Sequence, residues 1–264
     1  MLKVTHVSKT FNPGTITEKQ ALKDINLELK EGDFVTVIGG NGAGKSTLLN
    51  LIAGVHTVDC GTITLDGINV TSWKEHKRAQ FLGRVFQDPM MGTAANMEIV
   101  ENLALAYRRG EKRGLKWGVP RSETELYRQH LAALDLGLED RMSSKVGLLS
   151  GGQRQALTLL MATLKKPRLL LLDEHTAALD PKTAFKVLEL TQEIVTENHL
   201  TTFMVTHNMK NAIHYGNRLI MMLEGKIVYD VSGEEKRNLQ VSDLLKKFEM
   251  VSGDGLANDR MLLG

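Results

Sequence analysis

The 264-residue chain is poor in cysteine, in aromatic residues and in long apolar runs. Its one cysteine, Cys60, cannot form an internal disulfide, which excludes the disulfide-stapled frameworks of small secreted proteins. Aromatic residues make up 5% of the chain, so aliphatic side chains and methionine must fill most of the core. No run approaches the ~18 apolar residues that a membrane-spanning helix needs.

The chain also lacks an excess of charge of either sign. Lys+Arg and Asp+Glu number 33 and 31, so the bulk charge gives no indication of a nucleic-acid partner, and we expect none. The first residues, 1–6, lack the apolar stretch of a signal peptide. We therefore expect a soluble, cytoplasmic protein that reaches a membrane only by docking onto another protein.

Apolar periodicity predicts an α/β chain. Ile25, Leu27 and Leu29 alternate with polar residues, as in a half-buried strand. Three nearly continuous apolar runs are typical of buried strands: 34–38, 169–172 and 202–205. Two hairpins are predicted, at Asp66-Gly67 and at Glu224-Gly225.

The middle of the chain, roughly 89–150, is predicted to be mostly helical. Residues Ser122 to Glu125 fit a capping box, and Gly137 suits a helix end. Between them, three apolar residues follow at helical spacing: Tyr127, Leu131 and Leu134.

A glycine-rich segment, residues 39–46, fits the phosphate-loop pattern G-x-x-x-x-G-K-[ST] and lies between a predicted strand and a predicted helix. Glycines let successive backbone N–H groups turn towards phosphate oxygens, and the helix adds its positive N-terminal end. Lys45 supplies a full charge to the β- and γ-phosphates, and Ser46 a hydroxyl to Mg²⁺. The competing interpretation is a glycine-rich turn with a surface lysine, which the strand–loop–helix context disfavours.

Two carboxylates, Asp173 and Glu174, follow the leucine strand at its carboxyl end, where ligands bind in open α/β sheets. Asp173 is a candidate Mg²⁺ ligand, and Glu174 a candidate general base for an attacking water. Taken alone, the pair is equally well explained as a polar strand end that forms a local cap.

The segment Leu149–Gln153 reads Leu-Ser-Gly-Gly-Gln and precedes a helical pattern. Ser150 and Gln153 fit a capping box, which makes an ordinary helix cap the competing interpretation. A cap does not explain Gly151 and Gly152, since glycines weaken a first turn. A phosphate that approaches the helix end closely would explain them, so we predict a second anion site there.

Together these segments closely resemble the ABC ATPase family. Residues 39–46 resemble its Walker A motif, Leu149–Gln153 is identical to its LSGGQ signature, and Leu169–Glu174 resembles its Walker B motif with the catalytic glutamate. The resemblance covers about residues 1–230. It implies an α/β fold: a P-loop NTPase core with a parallel sheet, an N-terminal antiparallel β subdomain, and a helical subdomain inserted at about 89–150. Residues 231–264 would form a C-terminal helix and tail.

Four further residues match the family in order. Gln87 resembles the Q-loop glutamine that touches Mg²⁺ and faces the permease, and Asp180 belongs to a segment similar to the D-loop. His207 resembles the switch histidine that contacts the γ-phosphate, and Phe11 stands where an aromatic ring stacks on adenine. Taken alone, His207 and Phe11 are more simply explained as structural residues, and Gln87 alone indicates nothing.

The resemblance implies ATP and Mg²⁺ as cofactors and a head-to-tail, ATP-dependent homodimer. Glu174, His207, Lys45 and Gln87 would serve catalysis, and Ser46, Gln87 and Asp173 would hold the metal. Nucleotide contacts would come from the aromatic residue, the phosphate loop, the signature and the D-loop: Phe11, Gly39, Gly40, Asn41, Gly42, Ala43, Gly44, Lys45, Ser46, Thr47, Ser150, Gly151, Gly152, Gln153 and Asp180.

Two positions depart from the family pattern. His175 stands where proline is usual after the catalytic glutamate, and Ala177 where serine is frequent. We expect neither to touch the phosphates. A basic run also stands out, Arg108, Arg109, Lys112, Arg113 and Lys116 with Trp117. It is explained either as a solvated loop or as a contact with a permease or anionic headgroups.

The function predicted from the resemblance is the ATPase subunit that energises an integral membrane permease at the inner face of the membrane. The middle segment is similar to ATPases of bacterial importers that use an extracellular substrate-binding protein, some of them assigned to aromatic amino acids. The alternative is a soluble ABC ATPase of an assembly system such as iron–sulfur cluster biogenesis. A ribosome-associated ABC protein usually carries coiled-coil insertions or two ATPase domains, and a P-loop kinase would not need the segment 150–153.

Overall fold

The computed structural model describes residues 1–111 and 118–252. Within them the strands are, in chain order, β1 (Leu2–Phe11), β2 (Lys19–Leu29), β3 (Phe34–Ile38), β4 (Cys60–Leu65), β5 (Ile68–Asn69), β6 (Leu82–Val85), β7 (Leu169–Asp173), β8 (Thr201–Val205), β9 (Arg218–Leu223) and β10 (Lys226–Ser232).

The helices over the same residues are α1 (Lys45–Ala53), α2 (Glu75–Arg78), α3 (Ile99–Tyr107), α4 (Arg121–Ala132), α5 (Gly151–Thr163), α6 (Pro181–Glu197), α7 (Met209–His214), α8 (Gly233–Arg237) and α9 (Val241–Ser252), with a one-turn 3-10 helix at Val146–Leu148. No helix in these two stretches is long and apolar enough to cross a membrane.

The chain divides into two compact units. Of the described residues, the first combines 1–78 with 201–252, and the second lies within 79–200. The first unit contains an antiparallel sheet in the order β2-β1-β4-β5, as well as the strands β10-β9-β3-β8. The predicted antiparallel N-terminal part and the predicted parallel core are thus both confirmed.

Strand β3 is the centre of the first unit. It pairs in parallel with β8 on one side and with β9 on the other. All five of its residues are buried, as the continuous apolar run predicts. Its one polar side chain, Thr36, donates a hydrogen bond to the Ala212 carbonyl at 2.8 Å, so burial leaves no unsatisfied hydroxyl.

The two predicted hairpins are present, and each turn uses a left-handed residue pair. Asp66 and Gly67 have φ of 48° and 77° between β4 and β5, and Glu224 and Gly225 have 47° and 80° between β9 and β10. Positive φ at both central residues matches the twist of the flanking strands.

Arg78 is buried in the first unit, at 1% exposure. Its guanidinium donates to the carbonyls of Leu51 and Ile52 in the last turn of α1, at 2.6 and 3.0 Å, and to those of Thr71 and Trp73, both at 3.0 Å. Burial lowers the pKa of Arg78 to about 10, which still leaves it charged at neutral pH. A cation thus ends α1, where carbonyls have no partner within the helix.

Lys236 is a buried cation that plays the same role at the C-terminal end of α7. The buried Nζ donates to the carbonyls of Ile213, Tyr215 and Gly216 at 3.0, 2.6 and 2.9 Å. Burial lowers the pKa of Lys236 to about 8. The C-terminal segment that carries this lysine is therefore part of the first unit's core, and Leu244 of α9 belongs to the same buried cluster as Met209 of α7.

The second unit joins the parallel pair β6–β7 to four helices, α3 to α6. A cluster of buried apolar side chains holds α3, α4 and α5 together, and it includes the predicted Tyr127, Leu131 and Leu134. The Tyr127 hydroxyl donates to Glu123 Oε2 at 2.7 Å, and burial raises the pKa of this phenol.

The predicted capping box at Ser122 is wrong. Helix α4 begins at Arg121 with Pro120 in the N-cap position and with no side-chain cap, so Ser122 lies inside the first turn. The Glu125 carboxylate accepts from Gln129 Nε2 at 3.4 Å, one turn along the helix, instead of from the helix start. The helix also ends at Ala132, before the predicted end at Gly137.

Two members of the basic run have structural contacts. Arg108 pairs with Glu123 at 2.9 Å, and Arg109 donates to the carbonyls of Ala162 and Lys165 at the end of α5. These contacts favour a structural role for both arginines. The other members, Lys112, Arg113, Lys116 and Trp117, lie outside the described residues.

We predict that Arg78→Met lowers the free energy of unfolding by about 2–5 kcal/mol, because four carbonyls lose a donor and two of these hydrogen bonds are buried. Urea denaturation measures the change. Arg237→Met, which removes an exposed arginine from α8, is the matched control and should change stability by less than about 0.5 kcal/mol. Equal stability of the two variants would contradict the role given to Arg78.

Candidate functional site

The phosphate loop connects β3 to α1, as predicted. Gly39, Gly42 and Gly44 have φ of 153°, 79° and 102°, values that side chains rarely adopt. The loop is also tightly packed: a Cβ on Gly39 would lie 2.3 Å from the Met222 carbonyl oxygen, and one on Gly44 2.7 Å from that of Ala21. Glycine is therefore required at both ends of the loop by backbone contacts within the first unit.

The turn of the β9–β10 hairpin supports this loop. The Gly225 N–H donates to the Ala43 carbonyl at 3.0 Å, and the Gly225 carbonyl accepts from the Lys23 N–H at 2.8 Å. A Cβ on Gly225 would lie 2.7 Å from the Ala21 carbonyl oxygen. Sequence reasoning predicted the hairpin, but it gave no indication that its turn lies between β2 and the phosphate loop.

Lys45 is the first residue of α1, and its side chain is bent back over the loop. Its Nζ donates to the Gly39 carbonyl at 2.6 Å and to the Gly40 carbonyl at 3.2 Å, and the residue is 7% exposed. No side chain caps this helix. A buried ammonium and an N-terminal helix end thus face the same loop, an arrangement suited to a polyanion.

Strand register brings His207 to the phosphate loop. Val205 of β8 pairs with Val37 of the parallel neighbour β3, and the Thr206 N–H donates to the Val37 carbonyl at 3.0 Å. His207 and Gly39 each lie two residues beyond a member of this pair, at the carboxyl ends of adjacent strands. His207 is exposed, in a position suited to contact a bound phosphate.

Phe11 is half-buried at the end of β1 and pairs with Lys19 across β1 and β2. Its ring is nearly perpendicular to that of His56, with centroids 5.2 Å apart. Lys19 Nζ approaches the phosphate loop so closely that a Cβ on Gly42 would lie 3.1 Å from it. Lys19 was not among the predicted site residues, since a lysine that opens an exposed strand carries no motif.

In the second unit, the register of β6 and β7 likewise places Gln87 near Asp173 and Glu174. Val85 of β6 pairs with Leu172 of the parallel β7, so Gln87 and Glu174 each follow by two residues at one end of the pair. Asp173 ends β7 and is half-buried. Its Oδ2 lies 3.7 Å from an Arg84 guanidinium nitrogen, and that guanidinium stacks on the Phe86 ring, with 4.5 Å between Cζ and the centroid.

Glu174 has a left-handed backbone, with φ of 46°. A non-glycine residue pays about 1 kcal/mol or more for this conformation, and such strain is common at functional sites. The next residue, His175, points into the interior at 2% exposure and shares a 3.1 Å hydrogen bond with Thr191 of α6. Burial lowers the pKa of His175 to about 4, so the ring is neutral at physiological pH.

The predicted capping box at the start of α5 is confirmed. The Gln153 N–H donates to Ser150 Oγ at 3.3 Å, and the Gln153 side-chain oxygen accepts from the Ser150 N–H at 3.2 Å. Ser150 and Gly151 are exposed. A polar, solvent-facing helix end is thus available at the signature segment.

The two signature glycines have a packing reason that the sequence did not reveal. A Cβ on Gly152 would lie 2.1 Å from Thr183 Cγ2, and one on Gly151 3.3 Å from Leu179 Cδ2. The start of α5 therefore packs closely against the start of α6. Phosphate approach is no longer needed to explain Gly152, although it remains compatible with both glycines.

Gln155 is a further residue that motif reasoning missed. It is fully buried on α5, and its Nε2 donates to the Phe86 carbonyl at 3.1 Å. One helix therefore carries the signature at its start and, within its second turn, a contact with the residue that precedes Gln87. A glutamine in an apolar helix pattern indicates such a contact only weakly.

Asp180 is the N-cap of α6, where its carboxylate accepts from the Thr183 N–H at 3.1 Å. Hydrogen bonds from Thr183 lower the pKa of this exposed carboxyl. Pro181 occupies the first helical position. The segment that resembles the D-loop thus ends at the solvent-exposed start of α6.

The ABC transporter family matches residues 22–177 of this chain. The chain is 47% identical to a "Tyrosine transport ATP-binding protein" of Clostridioides difficile (strain R20291), over 94% of this chain and 99% of that protein. It is 35% identical to the "ABC transporter ATP-binding protein YxdL" of Bacillus subtilis (strain 168), over 98% and 96%.

A solved structure with the same fold is that of the ATP-binding cassette MJ0796, described as a dimeric post-hydrolysis state bound to ADP and Pi. The TM-score is 0.74 at 31% sequence identity, over 88% of this chain and 98% of that one. Agreement over this length confirms the predicted fold class.

We predict that Gly152→Ala destabilises the chain by about 1–3 kcal/mol, because the added methyl overlaps Thr183 Cγ2. The double variant Gly152→Ala/Thr183→Ser, which deletes that methyl, should regain stability in urea denaturation while ATP turnover stays low. Thr183→Ser alone is the control. Full recovery of turnover in the double variant would show that Gly152 serves only the packing of α5 on α6.

Proposed function

The chain belongs to the ABC transporter family, and from this premise we propose that it is the ATPase subunit of an importer for an aromatic amino acid. ATP hydrolysis that energises a permease follows from the family and from the relatives. The observation that carries the substrate class is the 47% identity, over nearly the full length of both chains, to a tyrosine transport ATP-binding protein. The relatives reported above are named for transport, which disfavours the alternative of an assembly ATPase.

In this proposal the first unit binds the body of the nucleotide. Lys45 Nζ leaves the Gly39 and Gly40 carbonyls for the β- and γ-phosphates, and the N–H groups at the start of α1 donate to phosphate oxygens. Phe11 stacks on adenine, and Lys19 adds positive charge beside the loop. The remaining loop contacts come from Gly39, Gly40, Asn41, Gly42, Ala43, Gly44, Ser46 and Thr47.

The signature helix of a second copy closes the site from the opposite side. Ser150, Gly151, Gly152 and Gln153 at the start of α5 present a second positive helix end, and Asp180 lies at the start of α6. Two such ends bind one triphosphate between two copies, so loss of the γ-phosphate weakens the dimer. The dimeric structures of the MJ0796 cassette support a homodimer.

The residues proposed as metal ligands suit Mg²⁺. A hydroxyl (Ser46), an amide oxygen (Gln87) and a carboxylate (Asp173) are the hard oxygen donors that this ion prefers. The described residues contain no group of three or more His, Cys, Asp or Glu side chains that could hold a metal by themselves. Magnesium is usually bound by one or two carboxylates together with substrate phosphates, so it would arrive with ATP and offset charge on its phosphates.

Glu174 is proposed as the general base. Its carboxylate accepts a proton from a water whose oxygen attacks the γ-phosphorus, the bond from phosphorus to the bridging oxygen breaks, and ADP leaves. His207, at the end of β8, donates to the γ-phosphate and orients it. Gln87 would contact the Mg²⁺ that accompanies the phosphates, and it lies in the segment that faces the permease.

We propose residues 1–230 as the ATPase domain, with a helical subdomain at about 89–150 and a C-terminal segment at 231–264. The partners are integral membrane permease subunits and an extracellular substrate-binding protein, with no nucleic acid. The chain would act at the inner face of the cell membrane, bound to the permease.

We predict that Glu174→Gln binds ATP normally but hydrolyses it ~10²–10⁴-fold more slowly, the usual range for loss of a general base. The variant should accumulate as an ATP-bound dimer in size-exclusion chromatography. Glu193→Gln, an exposed glutamate on α6, is the control and should behave as wild type. Normal turnover in Glu174→Gln would remove Glu174 from its proposed role.

We predict that an affinity-tagged chain, isolated from gently solubilised native membranes, brings its permease with it. ATP turnover of that complex, reconstituted with its binding protein, should rise when tyrosine or phenylalanine is added and not when spermidine is added. Stimulation by spermidine alone would refute the substrate class. Co-isolation with soluble scaffold proteins only would refute the transport role.

A further inference from the structure

The backbone of Glu174 is fixed from both sides. On one side, Leu172 is held in the parallel ladder by its pairing with Val85. On the other side, His175 is buried at 2% exposure and bonded to α6. Between these two fixed points, Glu174 is held at a φ of 46°, in the left-handed region that an unrestrained glutamate rarely adopts.

The direction of the hydrogen bond between His175 and Thr191 follows from the neighbouring contact. The Thr191 hydroxyl donates its one proton to the Val187 carbonyl at 2.7 Å, the bond one turn back along α6. Thr191 Oγ1 is therefore the acceptor for His175, whose Nε2 carries the proton and donates at 3.1 Å. Two consecutive hydrogen bonds thus tie the residue after Glu174 to the backbone of α6.

The segment between β7 and α6 has an anchor near each end, at His175 and at Asp180. A turn follows Glu174, whose carbonyl accepts from the Ala177 N–H at 2.9 Å, and a second turn joins Thr176 to Leu179 at 3.2 Å. Asp180 then fixes the far end by capping α6. Since Ala177 and Ala178 between the two anchors are exposed, no core packing at those positions compensates for a lost bond at His175.

We propose that His175 is a positioning residue for Glu174: its hydrogen bond to Thr191 holds the turn that aims the Glu174 carboxylate at the attacking water. The proposal rests on the function proposed for Glu174 above. It assigns a role in turnover to a side chain that lies inside the second unit and does not touch the nucleotide. The rate of a reaction that depends on a general base falls steeply when the carboxylate is misoriented, because proton transfer requires a short, aligned contact.

An ordinary core histidine would give a different result. If the hydrogen bond only satisfies buried polar atoms, removing it lowers stability and leaves the turnover of the remaining folded molecules unchanged. The test must therefore separate the turnover number from folding and from ATP binding.

The principal variant is Thr191→Val, which keeps the shape of the side chain but removes the acceptor for His175 and the donor to Val187. We expect kcat to fall about tenfold to a hundredfold, the scale of a misaligned reacting group, with the KM for ATP and the affinity for ATP within about twofold of wild type. Thr191→Ser, which retains the hydroxyl, should keep kcat near the wild-type value. His175→Ala should match Thr191→Val, and the double variant should lose little more, because both changes break one connection.

Val195→Ala is the matched stability control. Val195 is buried on the same helix, one turn beyond Thr191, and it carries no polar contact with His175. Its truncation should lower the melting temperature while leaving kcat unchanged at temperatures where the variant is folded. Equal kcat in Thr191→Val and Val195→Ala would overturn the positioning role.

If Thr191→Val does not fold, His175→Leu gives the same measurement, because an apolar side chain of similar size fills the buried position without a donor for Thr191. A lowered kcat at unchanged KM supports the proposal, and a wild-type kcat overturns it. The general-base role proposed for Glu174 has a separate test. Wild type without ATP turnover, or Glu174→Gln with normal turnover, would refute that role.

Discussion

Hydrogen bonds between parallel strands determine where the chemically important residues of this chain lie. In the first unit, the pair Val37–Val205 places the phosphate loop beside His207. In the second unit, the pair Val85–Leu172 places Gln87 beside Asp173 and Glu174. Because neighbouring parallel strands end at the same edge, a polar residue two positions after one paired residue lies near its counterpart on the next strand. Each unit thus brings distant parts of the sequence together by backbone geometry alone.

The sequence predicted three of these four strands, β3, β7 and β8, for a physical reason. A strand buried on both faces must be apolar throughout, as residues 34–38 and 169–172 are, and a loop that surrounds phosphate must be rich in glycine. These constraints act on consecutive residues, so they can be read locally. The hairpin turns at Asp66 and Glu224 are local in the same sense.

Where a feature depends on a residue that is distant in the sequence, the prediction was wrong or the feature was missed. Ser122 and Glu125 fit a capping pattern, yet neither caps α4, which begins at Arg121. Glu123 between them bonds to Arg108, fifteen residues away, which no short window of sequence reveals. The pattern around Gly152 predicts close approach of a phosphate, whereas the structure gives a packing reason, Thr183 of α6, which lies against it. Arg78 and Lys236 would be expected on the surface because charged residues are rarely buried, but each satisfies the carbonyls at the end of a helix. A buried cation of this kind has no local signature.

The two hairpin turns have the same left-handed backbone but different surroundings. Among the described residues, nothing lies within 4 Å of a Cβ placed on Gly67, whereas one placed on Gly225 would strike the backbone of β2. Gly225 also bonds to the phosphate loop. Lengthening the chain by a residue or two should therefore be harmless at the first turn and disruptive at the second. A tag or a fluorescent label can therefore be inserted at the turn of Gly67. At the turn of Gly225, which has the same backbone geometry, the length of the chain cannot change.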